Sequence, residues 1–187
     1  MDLVDLLHPD GVENPGGIAS ISGFALIGDF ETIQAVKGLK DVGATLENVS
    51  QIAVPHVFKP GKCMIKVYCT QKKGTVKSDA VGDWDGIGKK TTTSVFIPGI
   101  DAKVLGTVRL IECSNGIVFA QMSDGTIMQI GSERFPAKAK GSFDSSDNEG
   151  VRGTTITFET YERLIEYLPG LNFVPAAAAV VVPVAGI

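Results

Sequence analysis

Ligand chemistry is scarce in this chain: 187 residues carry only two histidines and three cysteines. Cys63 and Cys69 stand six apart with no Cys-x-x-Cys element, and His8 and His56 sit in no ligand pattern. No metal site is therefore expected. An odd number of cysteines also argues against a disulfide framework, so all three are read as reduced, half-buried strand residues. Aromatic residues make up 7% of the chain, with Trp84 the single tryptophan, which is thin for a carbohydrate- or peptide-binding platform. Positive charge is in deficit: Lys and Arg number 17 against 21 acidic residues, a net charge of −4. That balance argues against a protein that grips duplex DNA through its phosphates. It leaves room for nucleic acid that passes without sticking.

Long apolar runs are lacking too. The stretch from Leu171 to Ile187 has no charged residue, but Pro175 and Pro183 interrupt it. It falls short of the roughly 20 apolar residues of a membrane span, so no membrane partner is expected. Met1–His8 is acidic where a secretory leader would be basic, and no adequate apolar region follows. Synthesis and folding in a cytoplasm is the expectation.

Catalytic motifs fail on inspection. Asp83-Trp84-Asp85-Gly86-Ile87-Gly88-Lys89-Lys90-Thr91 invites a phosphate-loop reading. Asp83 stands where the first glycine belongs, Lys90 where Ser or Thr should hold magnesium, and a strand follows where a helix is needed. The segment reads instead as a surface hairpin or assembly loop anchored by Trp84, since aromatics dominate interface cores. The alternative is that Trp84 folds back on its own sheet. Asp144–Gly150 has the composition of a calcium loop without its order, and reads as a solvated hairpin loop. No Gly-x-Ser-x-Gly elbow exists, and His56, beside Pro55 in a strand, is expected to be a packed or surface histidine. The expectation is a non-enzyme with no catalytic residue and no cofactor.

What the sequence does contain is turn punctuation between β-type runs. Asn115–Gly116 is read as joining strands Thr107–Ser114 and Gly116–Met122, and Asp124–Gly125 as joining the latter to Thr126–Gly131. Both pairs are type I′ hairpin signals. Ala137–Asp144 and Val151–Thr160 extend the antiparallel meander. Upstream, Ile18–Phe30 reads as a strand, and Glu31–Ser50 as either a helix or a long exposed loop, because Gly38 and Gly43 interrupt its helical spacing. Ile52–Phe58 and Cys63–Thr70 flank a Lys59-Pro60-Gly61-Lys62 turn. Gln71–Gly88 reads as a variable glycine-rich region, and Thr91–Ile97 as a β-branched strand ended by Pro98–Gly99. Asp101 caps a short helix over Ala102–Thr107. Asp2–Asp10 suggests one helical turn, followed by a Gly11–Gly17 linker. The apolar tail, with Val180, Val181, Val182 and Val184 at its centre, either pads its own core or docks on a neighbouring copy as an added strand.

These residues carry a resemblance. Lys66-Val67-Tyr68-Cys69-Thr70, Val81-Gly82-Asp83 and Thr93-Ser94-Val95-Phe96-Ile97-Pro98-Gly99 resemble bacteriophage tail tube (major tail) proteins. So does Lys140-Gly141-Ser142-Phe143 with Gly150-Val151-Arg152-Gly153-Thr154-Thr155-Ile156-Thr157-Phe158-Glu159. The likeness covers Ile52 to Thr160. It implies a mainly β fold, an antiparallel β-sandwich or barrel with one short flanking α-helix, shared with type VI secretion tube proteins; the long loops and an extended C-terminal arm are read from the residues themselves. Residues 1–17 would be an N-terminal arm, 18–170 the β-domain and 171–187 the apolar arm. The implied function is a structural virion protein, self-assembling into stacked rings through which DNA is ejected. Its partners would be itself, other tail proteins, and DNA crossing the lumen without specific binding. It would be assembled in a bacterial cytoplasm into the virion tail. Glu31–Ser50 and the Ala/Val/Pro tail fall outside that pattern. They keep open another virion ring component (terminator, connector or decoration protein), a β-sandwich binding module, or a small β-barrel enzyme. Trp84 and the four tail valines are the assembly candidates.

Overall fold

The computed structural model describes residues 16–145 and 152–177. In chain order the strands are β1 (Ile21–Leu26), β2 (Phe30–Thr32), β3 (Gln51–Ile52), β4 (Val57–Phe58), β5 (Ile65–Tyr68), β6 (Thr75–Val81) and β7 (Gly88–Pro98). Helix α1 (Ala102–Glu112) follows. Then come β8 (Gly116–Gln121), β9 (Ile127–Ile130), β10 (Lys138–Asp144), β11 (Gly153–Thr160) and β12 (Ile165–Tyr167). They form a six-stranded sheet, β3-β12-β9-β8-β1-β5, a four-stranded sheet, β10-β11-β7-β6, and the small pair β2-β4. The fold is a mainly β, sandwich-like arrangement with one flanking helix, and the sheets do not close into a barrel.

Two apolar cores lie on opposite faces of the six-stranded sheet. Between the sheets, Phe24, Val118, Ala120 and Ile130 meet Val95, Ile156 and Phe158, with Val108 and Ile111 of α1 closing one side. Phe24 and Phe158 bring their rings to 5.5 Å across this layer. On the outer face, Ala25, Ile117, Phe119 and Tyr167 are covered by Phe30, Phe58, Ile33, Val36, Leu171 and Phe173. Strand β8 lies between both cores, which is why its first five residues are all buried and apolar or glycine rather than alternating. In the four-stranded sheet, by contrast, β11 alternates: Thr154, Ile156, Phe158 and Thr160 point inward, and Thr155, Thr157 and Glu159 are less buried.

Several sequence expectations are corrected here. The meander of Thr107–Thr160 is divided between two sheets, and its first run is not a strand. Helix α1 continues through it to Glu112, because Val104, Val108 and Ile111 recur at helical spacing and pack inward. Asp101 holds the N-cap position in extended conformation, with no side-chain cap bond. Asn115–Gly116 therefore makes no hairpin. Gly116 lies in β8 because a Cβ there would collide with the Phe24 ring and approach Ala25 O to 2.9 Å. The residue is needed for close approach rather than for positive φ. Asp124–Gly125 does join β8 to β9, but only Gly125 has positive φ (92°), so the turn is not type I′. Asp124 Oδ1 accepts the Thr126 N–H at 2.8 Å and holds it.

Gln71–Gly88 contains β6, which pairs along its whole length with β7. Ile18–Phe30 is broken by a 3-10 turn at Ile27–Asp29. Ile52–Phe58 is strand only at its ends: β3 pairs in parallel with β12, while β4 joins β2. Glu31–Ser50 has no helix; after β2 it is an irregular, mostly exposed loop. Thr45 and Asn48 close it by exchanging side chain–backbone hydrogen bonds. Lys59–Lys62 forms the expected turn, with Gly61 at φ 76° and Lys62 N–H donating to Lys59 O. The cysteines are free, but Cys69 is fully buried past the end of β5, Cys63 is half-buried before it, and Cys113 is exposed at the helix C-cap. The Asp2–Asp10 turn, most of the Gly11–Gly17 linker, and most of the Asp144–Gly150 loop lie outside the described residues.

Candidate assembly surfaces

The two edges of the four-stranded sheet differ. On β10, Val108 of α1 seats directly over Gly141, where any side chain would displace it. Glu112 Oε1 accepts the Gly141 N–H at 2.8 Å, so the helix both covers this edge and satisfies part of it. Among the described residues, strand β6 at the other end pairs only with β7. Its outward side carries Lys77 and Asp79, which approach each other to 3.7 Å at the surface. Across the sheet's outer face, Glu159 receives Lys140 at 3.2 Å and Lys90 at 3.4 Å. The Lys140 hydrogen bond chiefly, with the two positive charges, holds the Glu159 carboxyl below its usual range.

At the far end of the β6–β7 hairpin a 3-10 turn, Trp84–Gly86, projects Trp84 into solvent at 92% exposure, beside Ile87 at 50%. Gly82 has φ 100°, and a Cβ on it would meet Gly86 O at 2.6 Å, so the tip closes only around glycine. Trp84 does not fold back on its own sheet. The sequence suggested the hairpin; what it did not carry was β6, whose Ser78, Asp79 and Ala80 are weak strand formers and are held by pairing with β7.

The C-terminal segment from Leu171 to Ala176 is seated on the domain. Met64 N–H donates to Asn172 O at 3.2 Å, Gly61 N–H to Ala176 O at 2.9 Å, and Ala176 N–H to Lys62 O at 3.0 Å. Leu171 and Phe173 add to the outer core, and the Lys66 ammonium lies 5.1 Å from the centre of the Phe173 ring. Val180, Val181, Val182 and Val184 lie outside the described residues.

His56 and Glu162 are both held by hydrogen bonds with their neighbours. His56 is buried, and its Nδ1 accepts the Gln34 N–H at 3.0 Å. That leaves Nε2 to carry the proton and donate it to Gln129 Oε1 at 2.8 Å. Gln129 Nε2 donates onward to Gly131 O at 3.0 Å. The His56 ring stacks on Tyr167 at 5.0 Å. The Tyr167 hydroxyl, whose own pKa burial raises, accepts the His56 backbone N–H. Both ring nitrogens of His56 are thus engaged within the fold. A cleft of about 500 Å³ beside it is lined by Gln129, Arg134 and Glu162. Both carboxylate oxygens of Glu162 already accept hydrogen bonds, from Ser132 and from the Arg163 N–H. Among the described residues no group of three or more His, Cys, Asp or Glu side chains is placed to hold a metal ion. No helix among them is long and apolar enough to cross a membrane.

Burial lowers the pKa of His56 below the ordinary 6.5, against a smaller opposing effect of the Gln129 hydrogen bond. Above pH 6.5 both folded and unfolded chains keep the ring neutral, and its contribution to stability is complete. As the pH falls below 6.5 the unfolded chain takes up the proton first. Stability then declines, by at most about 1.4 kcal/mol per pH unit, until the lowered folded pKa is reached. Urea denaturation at pH 7.5 and 5.5 should show this loss in the native chain and a smaller one in His56→Gln. A His56 ring that titrates at or above 6.5 by NMR would contradict it.

No protein-family model matches the chain, and no curated protein and no solved structure matches it.

Proposed function

We propose that this chain is a structural, self-assembling virion subunit of the tail tube type, whose copies form rings that stack into a conduit for DNA. The observation that carries the reading is the combination of an edge strand, β6, that no other described strand pairs on its outer side, with a hairpin tip that holds Trp84 almost wholly in water. An exposed edge is a liability in a solitary molecule and a joint in a ring, where closure leaves no edge behind. A fully exposed indole contributes almost nothing to its own subunit's stability, yet aromatic anchors supply most of the energy of protein interfaces. The engaged polar groups around His56 and Glu162 favour a construction role over catalysis. A net charge of −4 suits a wall that DNA slides past. Other tail proteins at the ends of the tube, and a place in the virion tail after assembly in a bacterial cytoplasm, belong to the same proposal. A single closed ring that does not stack, as in a terminator or connector, is the second reading; it would share the β6 edge.

Trp84→Ala is the direct test. Sedimentation velocity should show assembly weakened by about 30-fold or more per joint, the equivalent of about 2 kcal/mol. Thermal stability of the free subunit should change by less than about 0.5 kcal/mol, as for exposed positions generally. A large loss of subunit stability with unchanged assembly would place Trp84 in the subunit's own fold and defeat the reading.

A further inference from the structure

An apolar groove runs between helix α1 and the edge strand β5. One part, about 230 Å³, is lined by Ile97, Lys103 and Val104. The adjoining part, about 220 Å³, ends at Cys63 and Leu110. Phe24, Ile65, Thr107 and Ile111 line both, so the two form one channel. Among the described residues strand β5 pairs only with β1, and Ile65 beside the channel is 45% exposed. The groove is apolar and open to solvent.

We infer that the groove receives the Trp84 hairpin tip of a second copy of this chain. The inference rests on the self-assembly reading and supplies the surface that reading lacks. Three observations favour this occupant. First, Trp84 and Ile87 are the exposed apolar side chains at the tip, and the channel has room for an indole. Second, charge matches. Asp83 and Asp85 flank Trp84 in sequence, and Lys103 lines the groove. Lys90, near the tip, is turned to Glu159, while Lys89 follows the tip directly in β7. On the groove side Lys66 adds a second positive charge, and Asp29, which also lines it, is paired with Lys62 at 2.9 Å. Third, tip and groove are at opposite ends of β7: the tip precedes Gly88, while Ile97 lines the groove. Ten residues of strand separate Ile87 from Ile97, about 33 Å at 3.3 Å per residue. One subunit cannot fill its own groove. A knob at one end and a hole at the other form a heterologous joint that repeats from copy to copy.

The chain's own C-terminal segment fits less well. Residues 172–176 run antiparallel to 64–61, away from β5, over the sheet face opposite α1, and residues 172–187 include no acidic side chain to meet Lys103.

The test uses full-length chains. Lys103→Glu, at an exposed position, should weaken assembly at least 10-fold, and Lys103→Glu with Asp83→Lys and Asp85→Lys should restore most of it. In a Cys63→Ser/Cys113→Ser background, Asp85→Cys with Lys103→Cys should yield a ladder of covalent multimers with a short bis-maleimide, whereas either cysteine alone should stop at dimers. A native chain that assembles while Lys103→Glu is unimpaired and the ladder is missing overturns the groove assignment and leaves the self-assembly reading standing. Assembly lost on deleting residues 178–187 but kept in Trp84→Ala gives the groove to the tail and likewise overturns it. A native chain that stays monomeric at every concentration removes both.

Discussion

Phe119→Ala should lower the free energy of unfolding by about 3–5 kcal/mol, which approaches the whole stability of a typical domain. Phe119 is completely buried at the centre of β8, facing the outer core. Its ring lies 4.9 Å from Tyr167 and 5.7 Å from His56. The cavity left by alanine cannot collapse easily, because the surrounding groups belong to strands held in hydrogen-bonded register. The midpoint of urea denaturation should fall with little change in slope. A loss under about 1 kcal/mol would mean that water already reaches this face. The coverings from Phe30 to Val36 and from Leu171 to Ala176 would then not be seated as described.

Gln129→Leu should cost about 2–6 kcal/mol for a different reason. The side chain is fully buried and serves two partners, the His56 Nε2–H and the Gly131 carbonyl. Leucine fills similar space but leaves both without a partner, at about 1–3 kcal/mol each. The neighbouring Met128→Leu, a half-buried swap of similar volume, should cost under about 1.5 kcal/mol. Equal effects at 128 and 129 would show that the network contributes no more than packing does. Removing Gln129 also removes the one interaction that raises the His56 pKa, so the imidazole should become still harder to protonate.

The Lys59–Lys62 turn, the long strand β7 with its Pro98–Gly99 stop, β8, and the Asp124–Gly125 connection were legible, because local chemistry decides them. Lys59–Lys62 needs only Pro60 and a positive φ at Gly61, and both are visible in four residues. The misreadings share a physical cause: tertiary contacts overrode local preference. Thr107, Val108 and Ile111 favour strand, but the packing of Val104, Val108 and Ile111 on the core makes them helix. Gly116 looked like a turn glycine and is a packing glycine, which only the position of Phe24 reveals. The division of the strands between two sheets depends on pairings far apart in sequence, such as Gly23 with Phe119 and Tyr167 with Ile52. For the candidate site, the composition of Asp83–Asp85 pointed to a surface hairpin, and Trp84 lies exposed at its tip. The groove beside Lys103 had no sequence signal, since it is assembled from β1, β5, β7, β11 and α1.

Negative-stain electron microscopy of the purified full-length protein across a wide concentration range tests the account most directly. Rings that stack into hollow tubes of uniform width as concentration rises are the expected result. Single, dispersed particles of one subunit's size at every concentration would contradict it.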